Sequence, residues 1–184
     1  MSLPNVQNAL RNKGNFCFNP TDLSLAYPHG GTGLGLINKV VVKPMKTNYM
    51  IRAEEFGNEV TDVIDGGQSW LITATLRSFD DNAISKIFPN TSIGSKSKTR
   101  VINHSGAVRA GSLISSRSIV LIFSPEDIQR NPMVIFYKAL PLIDETSEFN
   151  FNLDTEFALG VQFVAIRDNS ERVEAIGKRD DLSL

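Results

Sequence analysis

The sequence predicts a mainly β protein: an antiparallel β-sandwich or barrel with a flanking α-helix, a long central loop and an N-terminal arm. Three observations lead there. Apolar residues recur at every second position over most of the chain, as half-buried strands require. Glycine, asparagine and aspartate cluster between these runs, where chain reversals need positive φ. Two further runs, IVLIF (119–123) and MVIFY (133–137), are apolar on both sides, the pattern of strands covered on both faces.

In chain order, residues 1–34 read as the arm and 35–184 as the domain. Leu3, Val6 and Leu10 have helical spacing, closed by Gly14. HGGTGLG (29–35) has the glycine density of a phosphate loop. A dinucleotide fingerprint needs glycines at its first, third and sixth positions, after a strand and before a helix. Counting from Gly31 and Gly33, the sixth position is Leu36, and no lysine follows in Walker order. These glycines are therefore expected to let the arm swing. Strands are expected at Leu36–Val42, Tyr49–Glu55 and Glu59–Ile64, with Gly57-Asn58 and Asp65-Gly66-Gly67 as turns. In QSWLITATLR, Trp70, Ile72, Ala74 and Leu76 face one way, and Ser69, Thr73, Thr75 and Arg77 the other.

The segment DDNAISKIFP reads as a helix: Asp80 or Asp81 caps it, Ile84, Ile87 and Phe88 form its apolar stripe, and Pro89 ends it. A long loop is expected at about 89–112, because NTSIGSKSKTRVINHSGAVRAGS is polar and punctuated by glycine. After the 119–123 strand, SPEDIQR reads as a capping-box turn with Ser124 as cap and Pro125 at the first helical position. Phe149, Phe151 and Leu153 alternate, as do Phe157, Leu159, Val161 and Phe163, and a last strand is expected near Val173–Ile176.

A chain of 184 residues buries about 70% of its unfolded surface and needs no disulfide or metal to hold it. A net charge of −1 argues against a globally basic nucleic-acid binder. There is no apolar run of the roughly 18 residues that a membrane helix needs, so no membrane anchor is expected. Cys17 is the lone cysteine and there are two histidines, His29 and His104. Their spacing matches no metal signature, and Cys17, between Phe16 and Phe18, reads as a small buried hydrophobe. Both histidines read as loop residues. Glu54-Glu55 and Asp80-Asp81 are explained by a solvated strand edge and a helix cap. No catalytic residue, metal site or cofactor emerges.

Charge placement says more. No acidic residue lies between Asn82 and Pro125, whereas Lys86, Lys96, Lys98, Arg100, Arg109 and Arg117 do. Glu54, Glu55, Glu59, Asp62 and Asp65 form one acidic group, and Asp144, Glu145, Glu148, Asp154 and Glu156 another. Such a loop is a solvated face, a nucleic-acid patch or an arm that docks on an acidic surface of an identical subunit. The nucleic-acid reading lacks aromatic platforms from Asn90 to Leu121.

Two stretches, DVIDGGQSWLITATLRSFDDNAISKIFPNT and RSIVLIFSPEDIQRNPMVIFYKALPLIDETSEFNFNLDTEFALGVQFVAI, resemble the tail tube proteins of long-tailed bacteriophages. The resemblance covers about residues 35–182 and rests on the order of elements and on local texture. It implies a non-enzymatic virion protein, assembled in the host cytoplasm, whose partner is itself: hexameric rings with a shared inner β-barrel, stacked into a hollow tube. It further implies a tape-measure protein in the lumen and later double-stranded DNA, passed without sequence-specific binding; a tail sheath is a further partner it allows. On this resemblance Lys96, Lys98, Arg100, His104 and Arg109 belong to the loop that stacks one ring on the next. The acidic groups, Glu54, Glu55, Glu59 and Asp62 with Asp144, Glu145, Glu148, Asp154 and Glu156, supply a lumen wall or the surface receiving that loop. Duplex DNA is held by lysine and arginine through counterion release, so a conduit should present acidic or neutral residues. The alternatives are a tube-initiating or tail-terminating ring of the same fold and, from another class, a monomeric β-sandwich module that binds carbohydrate or peptide.

Overall fold

A computed structural model describes residues 14–53, 58–77, 81–88, 91–96, 99–104, 113–142, 149–152 and 155–184. The elements are β1 (Gly14–Phe18), β2 (Thr32–Gly33), β3 (Ile37–Ala53), β4 (Glu59–Leu76), α1 (Asp81–Ile87), β5 (Thr91–Lys96), β6 (Thr99–His104), β7 (Ile119–Pro125), β8 (Met133–Leu142), β9 (Phe149–Asn152), β10 (Thr155–Ala165) and β11 (Glu174–Gly177). The expected mainly β, antiparallel architecture is what forms. One sheet runs β2-β1-β7-β8-β10-β4-β3, with β11 beside β8 and β9 beside β10, while β5 and β6 form a separate two-stranded sheet.

The main sheet is not closed into a barrel, since β2 and β3 are its two ends. It is nevertheless strongly coiled. Phe18 on β1 meets Phe163 on β10 at 5.9 Å between ring centres, although β7 and β8 lie between their strands. Adjacent strands sit about 4.8 Å apart, so a flat sheet would hold these rings roughly 14 Å apart. The concave face is the main core: Phe16 and Phe18, Ile72, Ala74 and Leu76, Leu121, Phe136, then Leu159, Val161 and Phe163. The alternation expected in QSWLITATLR is present, with Ile72, Ala74 and Leu76 buried and Thr73 and Thr75 half-buried. α1 packs under this core through Ala83 and Ile87, joined by Phe88 just after its end.

Strands β1, β7 and β8 are covered on their other face too. Cys17, Ile122, Met133 and Ile135 form a second cluster with Leu23, beneath Val120, Ile128, Tyr137 and Leu182. That is the physical reason IVLIF and MVIFY lack alternation.

Several expected boundaries need correction. The described part of residues 1–34 is no swinging arm. β1 pairs with β7 along its whole length, from Gly14 opposite Pro125 to Phe18 opposite Leu121. Gly14 thus opens a strand, and the helical spacing of Leu3, Val6 and Leu10 lies outside the described residues. The glycines serve close packing: a Cβ at Gly31 would run into the Phe18 carbonyl oxygen, and one at Gly33 would come within 2.7 Å of the Tyr27 hydroxyl. Asp65-Gly66-Gly67 is not a turn. It is a bulge inside β4, between the pairs Lys46–Gln68 and Asn48–Asp65, with Gly67 at φ 99°. The four expected strands over 36–77 are therefore two long ones. Pro44 is accommodated in β3 because, among the described residues, β3 has a neighbour on one side only. SPEDIQR forms no helix capped by Ser124. Ser124 is a buried residue of β7, and Asp127 caps a single turn by accepting the Arg130 amide at 3.2 Å. Part of the expected loop at 89–112 is the β5–β6 hairpin, with Ser95 opposite Arg100 and Lys96 opposite Thr99.

Candidate assembly surface

β10 follows β4 only as far as the pair Ala165–Trp70. Beyond that point the β3–β4 hairpin continues alone, over Met45–Ala53 and Glu59–Ser69. At 3.3 Å per residue this is a two-stranded ribbon projecting roughly 30 Å from the body. The ladder places Tyr49 opposite Ile64 and Ile51 opposite Asp62 on one face. Met50 opposite Val63, and Arg52 opposite Val60, lie on the other. Tyr49, Met50, Ile51, Val60, Val63 and Ile64 are each more than two-fifths exposed, Met50 reaching 63%. The ribbon thus presents apolar side chains on both faces, and its two edges have no further strand beside them among the described residues.

An isolated two-stranded hairpin is marginally stable in water, and unpaired edges are templates for another chain. A clustered exposed apolar surface marks an interaction site rather than ordinary scatter. The root of the ribbon is held by charge. Lys46 Nζ lies 2.9 Å from Asp65, whose carboxylate also accepts the Gly67 amide at 3.0 Å. The Lys46 hydrogen bond and then that amide hold the Asp65 pKa below its usual value.

The sequence-derived site residues fall as follows. Glu59 and Asp62 are exposed on β4, within the ribbon, and Asp62 shares a face with Tyr49 and Ile51. Lys96 ends β5, Arg100 and His104 belong to β6, and Glu156 belongs to β10; of these four the backbone placement alone is described. Glu54, Glu55, Lys98, Arg109, Asp144, Glu145, Glu148 and Asp154 lie outside the described residues. The charged loop and the acidic groups are therefore not brought together into one described site. The ribbon's apolar residues were not singled out by sequence reasoning, although Tyr49-Met50-Ile51 departs from alternation in the way a strand exposed to a partner on both faces would.

Two polar centres elsewhere are structural. His29 sits on a loop, as expected, but is fully buried. Its Nδ1 lies 2.8 Å from the Leu25 carbonyl, which only accepts, so Nδ1 donates there, and Nε2 lies within hydrogen-bond distance, 3.0 Å, of the Ser124 hydroxyl. This pins the 19–31 loop over β7, together with Asn19, which exchanges hydrogen bonds with the Val120 backbone. Asp168 accepts the amides of Ser170 and Arg172 and pairs with the Arg172 guanidinium at 3.0 Å; that group stacks 3.9 Å over the Tyr137 ring. Among the described residues no group of three or more His, Cys, Asp or Glu is placed to hold a metal ion. Cys17 is fully buried, as expected, and burial pushes its thiol pKa up to about 12.

No protein-family model matches the chain, and no curated protein is significantly similar to it.

Proposed function

We propose that this chain is a structural subunit that assembles with copies of itself, and that the assembly is the tube of a bacteriophage tail. The observation supporting self-assembly is the β3–β4 ribbon, with apolar residues on both faces and, among the described residues, an open edge on each strand. One partner covers one face, so a ribbon apolar on both sides fits a lattice in which each copy touches at least two others. A head-to-tail contact of this kind uses two different surfaces and propagates into rings or filaments. The tube assignment rests on the resemblance of residues 35–182, with hexameric rings, a tape-measure protein and transiting duplex DNA as its consequences. In this reading Glu59 and Asp62 keep the DNA path acidic. The basic segment carrying Lys96, Lys98, Arg100, His104 and Arg109 contacts the next ring.

Negative-stain microscopy and light scattering of the purified protein test the proposal. Rings or tubes are the expected result; a persistent monomer of 20.3 kDa at high concentration overturns it. Reversing charge with K96E, K98E and R100E together should leave the body folded and abolish stacking. Unchanged tube growth would remove that segment from the interface.

A further inference from the structure

The ribbon projects beyond the core, and a two-stranded hairpin on its own is marginally stable in water. Side chains tie its two strands together from the root outward. At the root, Lys46 on β3 meets Asp65 on β4 at 2.9 Å. One step out, the Tyr49 ring lies against Gly66. A Cβ at Gly66 would come within 2.7 Å of both the Tyr49 Cε2 and the Thr47 carbonyl oxygen. Gly66 belongs to the bulge between the pairs Lys46–Gln68 and Asn48–Asp65, so an aromatic ring from the facing strand covers its bare backbone. Farther out, the Thr61 hydroxyl donates to the Ile51 carbonyl at 3.3 Å, and the Arg52 guanidinium donates to the Asn58 carbonyl at 3.2 Å. Tyr49 stands on the face opposite Met50 and Val63.

We propose that Tyr49 and Gly66 are positioning residues: the ring seated on the bulge glycine holds the ribbon formed, and at a fixed angle to the body, in the free subunit. The ion pair at the root cannot do this alone, because Lys46 and Asp65 are 50% and 62% exposed and exposed pairs contribute little. The ring is different in kind. It occupies the place where a side chain at position 66 would stand, and any residue larger than glycine would also meet the Thr47 backbone. A ribbon formed in this way loses its conformational freedom when the chain folds rather than when copies meet, which strengthens docking without adding a contact. Its effect on assembly rests on the function proposed above; the bracing itself is a property of the single chain.

Amide hydrogen exchange of the full chain, diluted below the concentration at which it associates, tests the bracing. In the parent, the ladder amides of residues 48–52 and 60–65 should exchange at least about tenfold more slowly than an unstructured chain. Gly66→Ala and Tyr49→Ser should each speed them at least about threefold. Tyr49→Phe, which keeps the ring, should leave them unchanged, and the amides of β7 and β8 should keep their rates in all three variants. Four results would each overturn the proposal: unstructured rates in the parent, no change with Gly66→Ala and Tyr49→Ser, equal losses with Tyr49→Phe and Tyr49→Ser, or faster exchange throughout the sheet. The assembly threshold keeps the two readings apart. Gly66→Ala removes no apolar surface, so it should raise the threshold of a parent that assembles, and an unchanged threshold would deny the brace any part in docking. A parent that never assembles sinks the tube reading and leaves the exchange result standing.

Discussion

Replacing Met50 and Val63 together by serine probes the ribbon directly. The two residues face each other across the ladder and are 63% and 50% exposed. Between them they leave unburied the equivalent of just over one whole apolar side chain. Full burial of such a side chain stabilises by about 1.5–3 kcal/mol, so an interface covering both should lose about 2–3 kcal/mol per subunit. At 1.4 kcal/mol per factor of ten, the concentration needed for assembly should rise roughly 30- to 140-fold. Sedimentation velocity over a dilution series reads that concentration. Thermal unfolding of the monomer supplies the control, and its midpoint should stay near that of the parent because neither side chain belongs to the core. An unchanged assembly threshold with an unchanged midpoint would show that this face touches nothing in the particle.

Four other outcomes follow from the geometry. Ser124→Ala leaves His29 Nε2 buried without its hydroxyl partner and should cost about 1–3 kcal/mol in denaturant unfolding; a loss under half a kcal/mol would mean that the pair does not pin the loop. Cys17 should resist a thiol reagent in the native state and react once unfolded, and rapid native labelling would contradict its burial. Because its folded pKa lies above the unfolded value near 9, its contribution to stability is complete below pH 9 and is lost as pH rises toward about 12. Asp168 loses some ionisation tendency to desolvation but gains more from the Arg172 and Ser170 hydrogen bonds, which leave its pKa below the ordinary carboxylate value. Its contribution is therefore present above that value and lost on acidification, and Asp168→Asn should lower the unfolding midpoint at pH 7 more than at pH 3.

Much of the fold was legible because side-chain period and burial are linked. Trp70 to Leu76 alternated and proved half-buried, and the unbroken runs at 119–123 and 133–137 proved buried on both faces. Misreadings arose where one residue type serves two backbone roles. Gly66-Gly67 supplies a positive φ to a bulge as readily as to a reversal, and adjacent ladder pairs decide which. Ser124 satisfies the local pattern of a helix cap, but its hydroxyl is taken by a histidine 95 residues away, which no local pattern contains. β1 was missed because Gly14-Asn15-Phe16-Cys17-Phe18 is short and apolar on both sides, and glycines follow it; its strand character comes from pairing with β7, far along the chain. The ribbon was legible as two strands and not as a surface, since exposure depends on where β10 stops.

The bulge at Asp65–Gly67 lies where the ribbon leaves the body, and that position makes it a fulcrum. A rotation of about 10° there would carry the far end of a 30 Å lever by about 5 Å. In the assembly proposed above, small changes at Lys46, Asp65 or Gly67 would then reset how steeply each copy leans toward its neighbour. The diameter and pitch of such an assembly would change with them while the contact residues stayed the same.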